Sequence, residues 1–180
     1  FCCTIRMCGI NGIILKKSKP KNSEIRRMNA AIKHRGPDGE GVLKFENCLL
    51  GHTRLSIQDL SSKGHQPMSV DGRYWIIFNG EIYNFKSLKK DLEALGHIFF
   101  SNTDTEVILN AYKEWGTKCF KKFNGMWSLC ILDKKTQNLC MSRDRYGVKP
   151  FYYFHDNSKF LFSSEIKGLF TSNLDLKIDP

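Results

Sequence analysis

Phe78-Asn79-Gly80-Glu81-Ile82-Tyr83-Asn84 admits two readings, and the choice between them decides how the middle of the chain folds. Asn-Gly between apolar runs is the leading short-range signal for a tight hairpin, because both residues tolerate a positive φ. On that reading the strand expected over Tyr74 to Phe78 ends in a turn. The second reading is chemical. The Asn79 side-chain amide and the Gly80 backbone N–H point together at an oxygen on which negative charge develops. Glycine also lets the backbone come close to a ligand. The segment alone leaves both readings open.

On the N-terminal side, Gly9 to Leu15 reads as a buried strand. Ser23 is placed to cap a helix running to about Lys33, with Ile25, Met28 and Ile32 near helical spacing. Gly36-Pro37-Asp38-Gly39-Glu40-Gly41 reads as punctuation, followed by short strands around Val42 to Phe45 and Cys48 to Leu50. On the C-terminal side, a helix over Phe85 to Leu95 stops at Gly96, and another over Asp104 to Trp115 stops at Gly116. Strands follow at Met126 to Leu132, Leu139 to Ser142, Phe151 to Phe154 and Lys159 to Phe162, at hairpin spacing. A largely antiparallel sheet with helices packed on it is the expected α+β architecture.

With 180 residues, 41% hydrophobic and 26% charged, the chain has the make-up of an ordinary globular domain. No apolar run approaches the ~18 residues of a membrane span, and Phe1 to Arg6 is too short and polar for a signal peptide, so a cytoplasmic protein without a membrane partner is expected. The seven cysteines are odd in number and include no C-x-x-C pair, which favours neither disulfides nor a metal site. The net charge of +10 comes from scattered lysines and arginines. No nucleic-acid-binding motif accompanies them, so nucleic acid is not the expected partner.

Three further segments carry chemistry. Cys8 precedes Gly9-Ile10. A thiol attacks as its thiolate, so it needs a base or an electropositive site. Met7 followed by a small residue is a plausible initiator, and its removal would leave Cys8 with a free α-amine of pKa ~7.7–8.0 to serve as that base. His34-Arg35-Gly36-Pro37-Asp38-Gly39 reads locally as a helix end and a turn. In Gly51-His52-Thr53-Arg54-Leu55-Ser56-Ile57, Arg54 interrupts a strand edge with a planar fork suited to a carboxylate.

In this order, Cys8-Gly-Ile, His34-Arg-Gly-Pro-Asp-Gly, Arg54-Leu-Ser-Ile, Asn79-Gly-Glu-Ile-Tyr-Asn, Asp104-Thr-Glu-Val and Ser142-Arg-Asp-Arg-Tyr-Gly-Val-Lys-Pro-Phe-Tyr-Tyr resemble the amino-terminal glutaminase domain of glutamine-hydrolysing asparagine synthetases. The resemblance implies an N-terminal-nucleophile hydrolase, a four-layer α/β/β/α sandwich of two antiparallel sheets. It implies Cys8 as nucleophile and Asn79 with Gly80 as oxyanion hole. It further implies that Arg54 holds the α-carboxylate of L-glutamine and that Asp104, helped by Glu81, holds the α-ammonium. Leu55, Ser56, Ile57 and Gln58 would line the pocket through backbone groups, and Arg35 would support it from behind. Asp104 also reads as a plain helix cap. Ser142 to Tyr153 reads as support for the fold and for the interface to a synthetase half.

The implied organisation is an extension over residues 1–7, absent from the working protein, and an amidotransferase domain over 8–180. The Ser-Gly-Gly-x-Asp-Ser pyrophosphate loop of a synthetase domain does not occur in these residues. The glutaminase reaction implies no cofactor or metal, while ATP and Mg would belong to the synthetase reaction. The implied partner is a synthetase domain or subunit that accepts ammonia, with a homodimer possible. The alternatives are an inactive glutaminase-like binding module and an amidotransferase for a different acceptor.

Overall fold

A computed structural model describes residues 7–56 and 61–172. The chain runs through β1 (Gly9–Leu15), α1 (Asn22–Ala31), β2 (Gly39–Phe45), β3 (Cys48–Arg54) and a two-residue β4 (Met68–Ser69). It continues through β5 (Tyr74–Ile82), α2 (Phe85–Ala94), α3 (Asp104–Trp115), β6 (Gly125–Asp133) and β7 (Asn138–Arg143). The last described elements are β8 (Tyr152–His155), β9 (Lys159–Ser163) and α4 (Ile166–Phe170). One sheet has five strands in the order β2-β3-β1-β9-β8 and the other has four in the order β4-β5-β6-β7. Every pairing between these strands is antiparallel.

The period of two along each strand sorts side chains into three apolar layers. Ile10, Leu50, Ile77, Cys130 and Phe162 meet between the sheets. Their outward-facing neighbours Ile13, Leu49 and Leu161 pack with Ile25, Met28 and Leu169, under α1 and α4. On the far side, Ile76, Phe78, Leu129 and Ile131 pack with Leu92 and Ile108, under α2 and α3. Three cores make four layers, the expected sandwich. Each such fully buried aliphatic or aromatic side chain contributes roughly 1.5–3 kcal/mol.

The middle layer is tight enough to dictate a residue. Gly12 pairs with Phe162 across β1 and β9, and a Cβ on Gly12 would lie 2.0 Å from the Phe162 ring. That ring is fully buried and stacks on Phe151 at 5.1 Å between centroids, so it has little room to retreat. Gly12→Ala is therefore expected to destabilise by about 1–3 kcal/mol, read as a lower urea midpoint at unchanged m-value.

Several local expectations are corrected. Asn79-Gly80 is not a hairpin: β5 runs straight through it, paired with β6 from Tyr74↔Asp133 to Ile82↔Gly125. Nine residues of ladder outweigh a two-residue turn preference. The tight turn lies instead at Glu46-Asn47, between the paired residues Phe45 and Cys48, with Glu46 at φ 49°. Ser23 does not cap α1; the helix starts at Asn22, and the Glu24 carboxylate accepts the Lys21 N–H at 2.7 Å. Asp104 does not cap α3; the Thr103 hydroxyl accepts the Glu106 N–H at 3.3 Å. Gly39 to Gly41 belong to β2, not to a turn, and a Cβ on Gly41 would lie 1.9 Å from the Gln66 carbonyl oxygen.

Candidate active site

The period that builds the middle core also builds the site. Beyond Ile10, Leu50 and Ile77, the next residues of the same parity are Cys8 before β1, His52 and Arg54 on β3, and Asn79 and Glu81 on β5. At this end of the sandwich the inner faces turn from apolar to polar. They open into a cavity of about 470 Å³ bordered by Cys8, Arg54, Leu55, Ser56, Asn79, Gly80, Glu81 and Asp104. Those are all of the expected site residues that fall within the described chain. Ile57 and Gln58 lie outside the described residues.

Cys8 is fixed on both its ends. Its Sγ accepts the Leu55 N–H at 3.3 Å, and its thiol lies 3.5 Å from the Leu55 carbonyl oxygen. The Arg35 Nε donates to the Cys8 carbonyl at 3.0 Å. Arg35 is held in turn by Glu165 at 3.0 Å, a carboxylate on which His34 (2.9 Å) and Lys167 (3.0 Å) also converge. The turn after Arg35 locks the neighbouring segment: a Cβ on Gly36 would lie 2.4 Å from the Thr53 carbonyl, and the Asp38 carboxylate accepts the Ser56 N–H at 2.8 Å. Thus two motifs that looked like separate turns form one wall.

Burial pushes the Cys8 thiol above its ordinary pKa; the Leu55 N–H and the Arg54 charge oppose this, Asp104 adds to it, and Arg35 opposes it. The thiol is therefore a proton carrier at neutral pH and needs a base to become a nucleophile. While Met7 is attached, the Cys8 nitrogen is a peptide amide, and the Met7 N–H donates to the Arg35 carbonyl at 3.0 Å.

Two donors wait on the β5 edge. The Phe78 N–H donates to Gln66 Oε1 at 2.6 Å, and the Ile82 N–H to Asp104 Oδ2 at 3.0 Å. Strand alternation turns the Gly80 N–H to the same edge, between them, and no side chain among the described residues is recorded as accepting it. Beside it, the Asn79 Nδ2 is buried and finds no partner among the described residues. A buried amide donor left unpaired costs roughly 1–3 kcal/mol unless something arrives to accept it. Glycine is required at position 80, since a Cβ there would lie 2.2 Å from the Met126 carbonyl oxygen.

Charged groups complete the cavity. Arg54 is buried at the end of β3, with its Nη1 donating to the Ser61 carbonyl at 2.9 Å. Asp104 is buried in the first turn of α3, and burial raises its pKa to about 6; the Ile82 and Thr105 N–H groups pull it down, while Glu81 pushes it up.

Four contributors were not legible beforehand. Gln66 and Lys149 border the cavity, as does Val148. His52 stands behind it, with Nε2 3.2 Å from the Phe78 carbonyl oxygen. Ser142 to Tyr153, expected to support the fold and the interface to a synthetase half, also reaches the cavity. Asp144 accepts the backbone N–H groups of Trp127, Tyr146, Val148 and Lys149 at 3.3, 3.1, 2.9 and 2.9 Å. Arg143 donates to the Lys149 carbonyl at 2.7 Å. The loop so folded delivers Val148 and Lys149 to the cavity wall, where the Lys149 Nζ meets the Met7 Sδ at 2.6 Å. The Asp-Arg-Tyr-Gly spacing carried the signal, as a carboxylate followed by a glycine that adopts φ 64°.

A cysteine just ahead of a central strand, facing two donors across a cavity between antiparallel sheets, fits one class of protein. Residues 7–180 match the family of glutamine amidotransferase domains, and the chain belongs to that family. Its fold is that of the N-terminal-nucleophile hydrolase amidotransferases. The glutamine phosphoribosylpyrophosphate amidotransferase of Bacillus subtilis superposes with a TM-score of 0.77 at 19% identity, covering 91% of this chain and 43% of that one. At the level of sequence, a putative glutamine-hydrolysing asparagine synthetase of Methanocaldococcus jannaschii is 50% identical over 182 aligned positions, covering 91% of this chain. Asparagine synthetase 1 of Bacillus subtilis is 40% identical over 178 positions, covering 96%. The chain spans only 35% and 28% of the lengths of these two relatives. Among the described residues no helix is long and apolar enough to cross a membrane.

Proposed function

We propose that this chain hydrolyses L-glutamine to glutamate and ammonia, as the glutaminase part of a glutamine-hydrolysing asparagine synthetase. The observation that carries the proposal is that Asn79 Nδ2, buried without a partner among the described residues, and the adjacent Gly80 border the same cavity as Cys8. With Met7 gone, the Cys8 α-amine takes the thiol proton. The sulfur then bonds to the side-chain amide carbon of glutamine, and the negative oxygen so formed accepts from Asn79 and Gly80. Donors of this kind are each worth about 3–4 kcal/mol in the transition state. As the carbon–nitrogen bond breaks, the amine returns its proton to the leaving group, which departs as ammonia. Water then cleaves the glutamyl thioester, giving glutamate and restoring the thiol.

Arg54 is the partner for the substrate α-carboxylate and Asp104, with Glu81, for the α-ammonium. Backbone groups of Leu55 and Ser56, continuing into Ile57 and Gln58, line the pocket. This chemistry calls on no metal or cofactor. ATP and Mg, and the aspartate that receives the ammonia, would belong to a synthetase domain or subunit. The test is release of glutamate from L-glutamine by protein beginning at Cys8, with peptide mapping of the site labelled by a glutamine-like electrophile. Absence of turnover, or label on a cysteine other than Cys8, would count against the proposal.

A pH dependence follows from Asp104. Its carboxyl, with a pKa raised to about 6, is ionised above that value and neutral below it. Only the ionised form pairs with an ammonium. KM for glutamine is therefore expected to rise as pH falls through about 6, by roughly tenfold per pH unit. In Asp104→Asn this dependence should vanish, with KM high throughout. Steady-state kinetics between pH 5 and 8 measures both.

A further inference from the structure

The Phe78 peptide is gripped in a way that ordinary strand pairing does not explain. β4 covers only Trp75 and Ile76 on the outer edge of β5, so from Phe78 onward that edge has no strand neighbour among the described residues. Two side chains take the place of the missing strand. Gln66 Oε1 accepts the Phe78 N–H at 2.6 Å, and the His52 Nε2–H donates to the Phe78 carbonyl at 3.2 Å. His52 is anchored on the other sheet, and Gln66, just ahead of β4, packs against that sheet. His52 sits on β3 in register with Ile10, two residues from Cys8. Gln66 presses on β2, its carbonyl 1.9 Å from where a Gly41 Cβ would stand. The free end of the Gln66 amide donates to Thr105 Oγ1 at 3.3 Å, in the first turn of α3 beside Asp104. His52 is held neutral by burial, which lowers its pKa to about 3, so the carbonyl it meets fixes the proton on Nε2.

We propose that Gln66 and His52 are positioning residues that hold the Phe78 peptide against the sheet carrying Cys8, and so set the distance between the nucleophile and the Asn79 and Gly80 donors. The proposal rests on the glutaminase reading and adds to it the parts that keep the oxyanion hole in place. His52 stands behind the cavity, and Gln66, which borders it, commits both ends of its amide to Phe78 and Thr105. A transition-state oxygen senses a misplacement of about 1 Å that ground-state binding barely registers.

The test compares turnover with two affinities in protein beginning at Cys8. One ligand is an aldehyde analogue of glutamine, whose adduct with Cys8 carries the oxyanion. The other is glutamate, which carries none. In Gln66→Met, kcat and aldehyde affinity are expected to fall together by roughly 30–100-fold, with KM and glutamate affinity within about threefold. Gln66→Glu keeps an acceptor for the Phe78 N–H and is expected to stay within about fivefold of wild type. In an Asn79→Ala background, Gln66→Met should cost less than about fivefold more, because both changes disable one device. His52→Leu leaves the Gln66 bonds in place and serves if Gln66→Met does not fold; kcat and aldehyde affinity should fall about tenfold. Unchanged kcat in these variants would overturn the proposal. So would losses that fall equally on KM and glutamate affinity, or full additivity with Asn79→Ala. A wild-type protein without turnover would overturn the glutaminase reading and this proposal with it.

Discussion

Cys8→Ala is expected to lower glutamate release by at least ~10⁴-fold, with glutamate still bound at near wild-type affinity. Removing the nucleophile of a covalent mechanism costs about as much as dismantling the whole catalytic set, because the remaining groups have nothing to act on. Binding is spared because, on the proposed reading, Arg54 on β3 and Asp104 on α3 meet the substrate's charges. The substitution is also mild for the fold. Cys8 lies before β1, its Sγ hydrogen-bonds among the described residues with the N–H and C=O of Leu55, and the Arg35 bond is to the Cys8 backbone carbonyl. A melting temperature within a few degrees of wild type would show that activity was lost for chemical reasons. Residual activity within tenfold of wild type would mean that another group performs the attack.

The second large effect is on binding. Arg54→Leu is expected to raise KM for glutamine by ~10²–10³-fold, with a smaller change in kcat, because truncating one partner of a buried charge pair costs about 3–5 kcal/mol. Arg54 is only 7% exposed, so water cannot replace the lost guanidinium. Arg54→Lys should recover part of the loss, since an ammonium supplies the charge but not the fork. Glutamate should weaken in parallel, as it presents the same α-carboxylate. An unchanged KM would place the α-carboxylate at another cation of the cavity, Lys149 first.

Most of the fold was legible because its elements advertise themselves. β1 and α3 match their expected bounds of Gly9–Leu15 and Asp104–Trp115, and glycine ends α2 and α3, with Gly96 at φ 90° and Gly116 at φ 57°. The misjudged places are those where distant chain decides the outcome. Asn79-Gly80 carries a strong local turn signal, yet the ladder to β6 overrides it, and that straight passage is what presents the Gly80 N–H to the cavity. Gly39 to Gly41 look like loop residues but belong to β2, where Gly41 accommodates the close approach of Gln66. The expected site residues that fall within the described chain border one cavity. Gln66, His52 and Lys149 were illegible because their roles depend on a side chain substituting for a strand, or on a loop folded around Asp144. Neither follows from a pattern of neighbours in sequence.

The most direct test concerns the amine. Two proteins differing by one residue, beginning at Met7 with a blocked amine and at Cys8, should be compared for glutamate release and for glutamate affinity. The protein beginning at Cys8 is expected to turn over at least ~10³-fold faster, the scale of a lost general base, while both bind glutamate comparably. Equal turnover would mean that the Cys8 α-amine is not the proton acceptor, and that the thiol of this half-buried cysteine is activated by some other group.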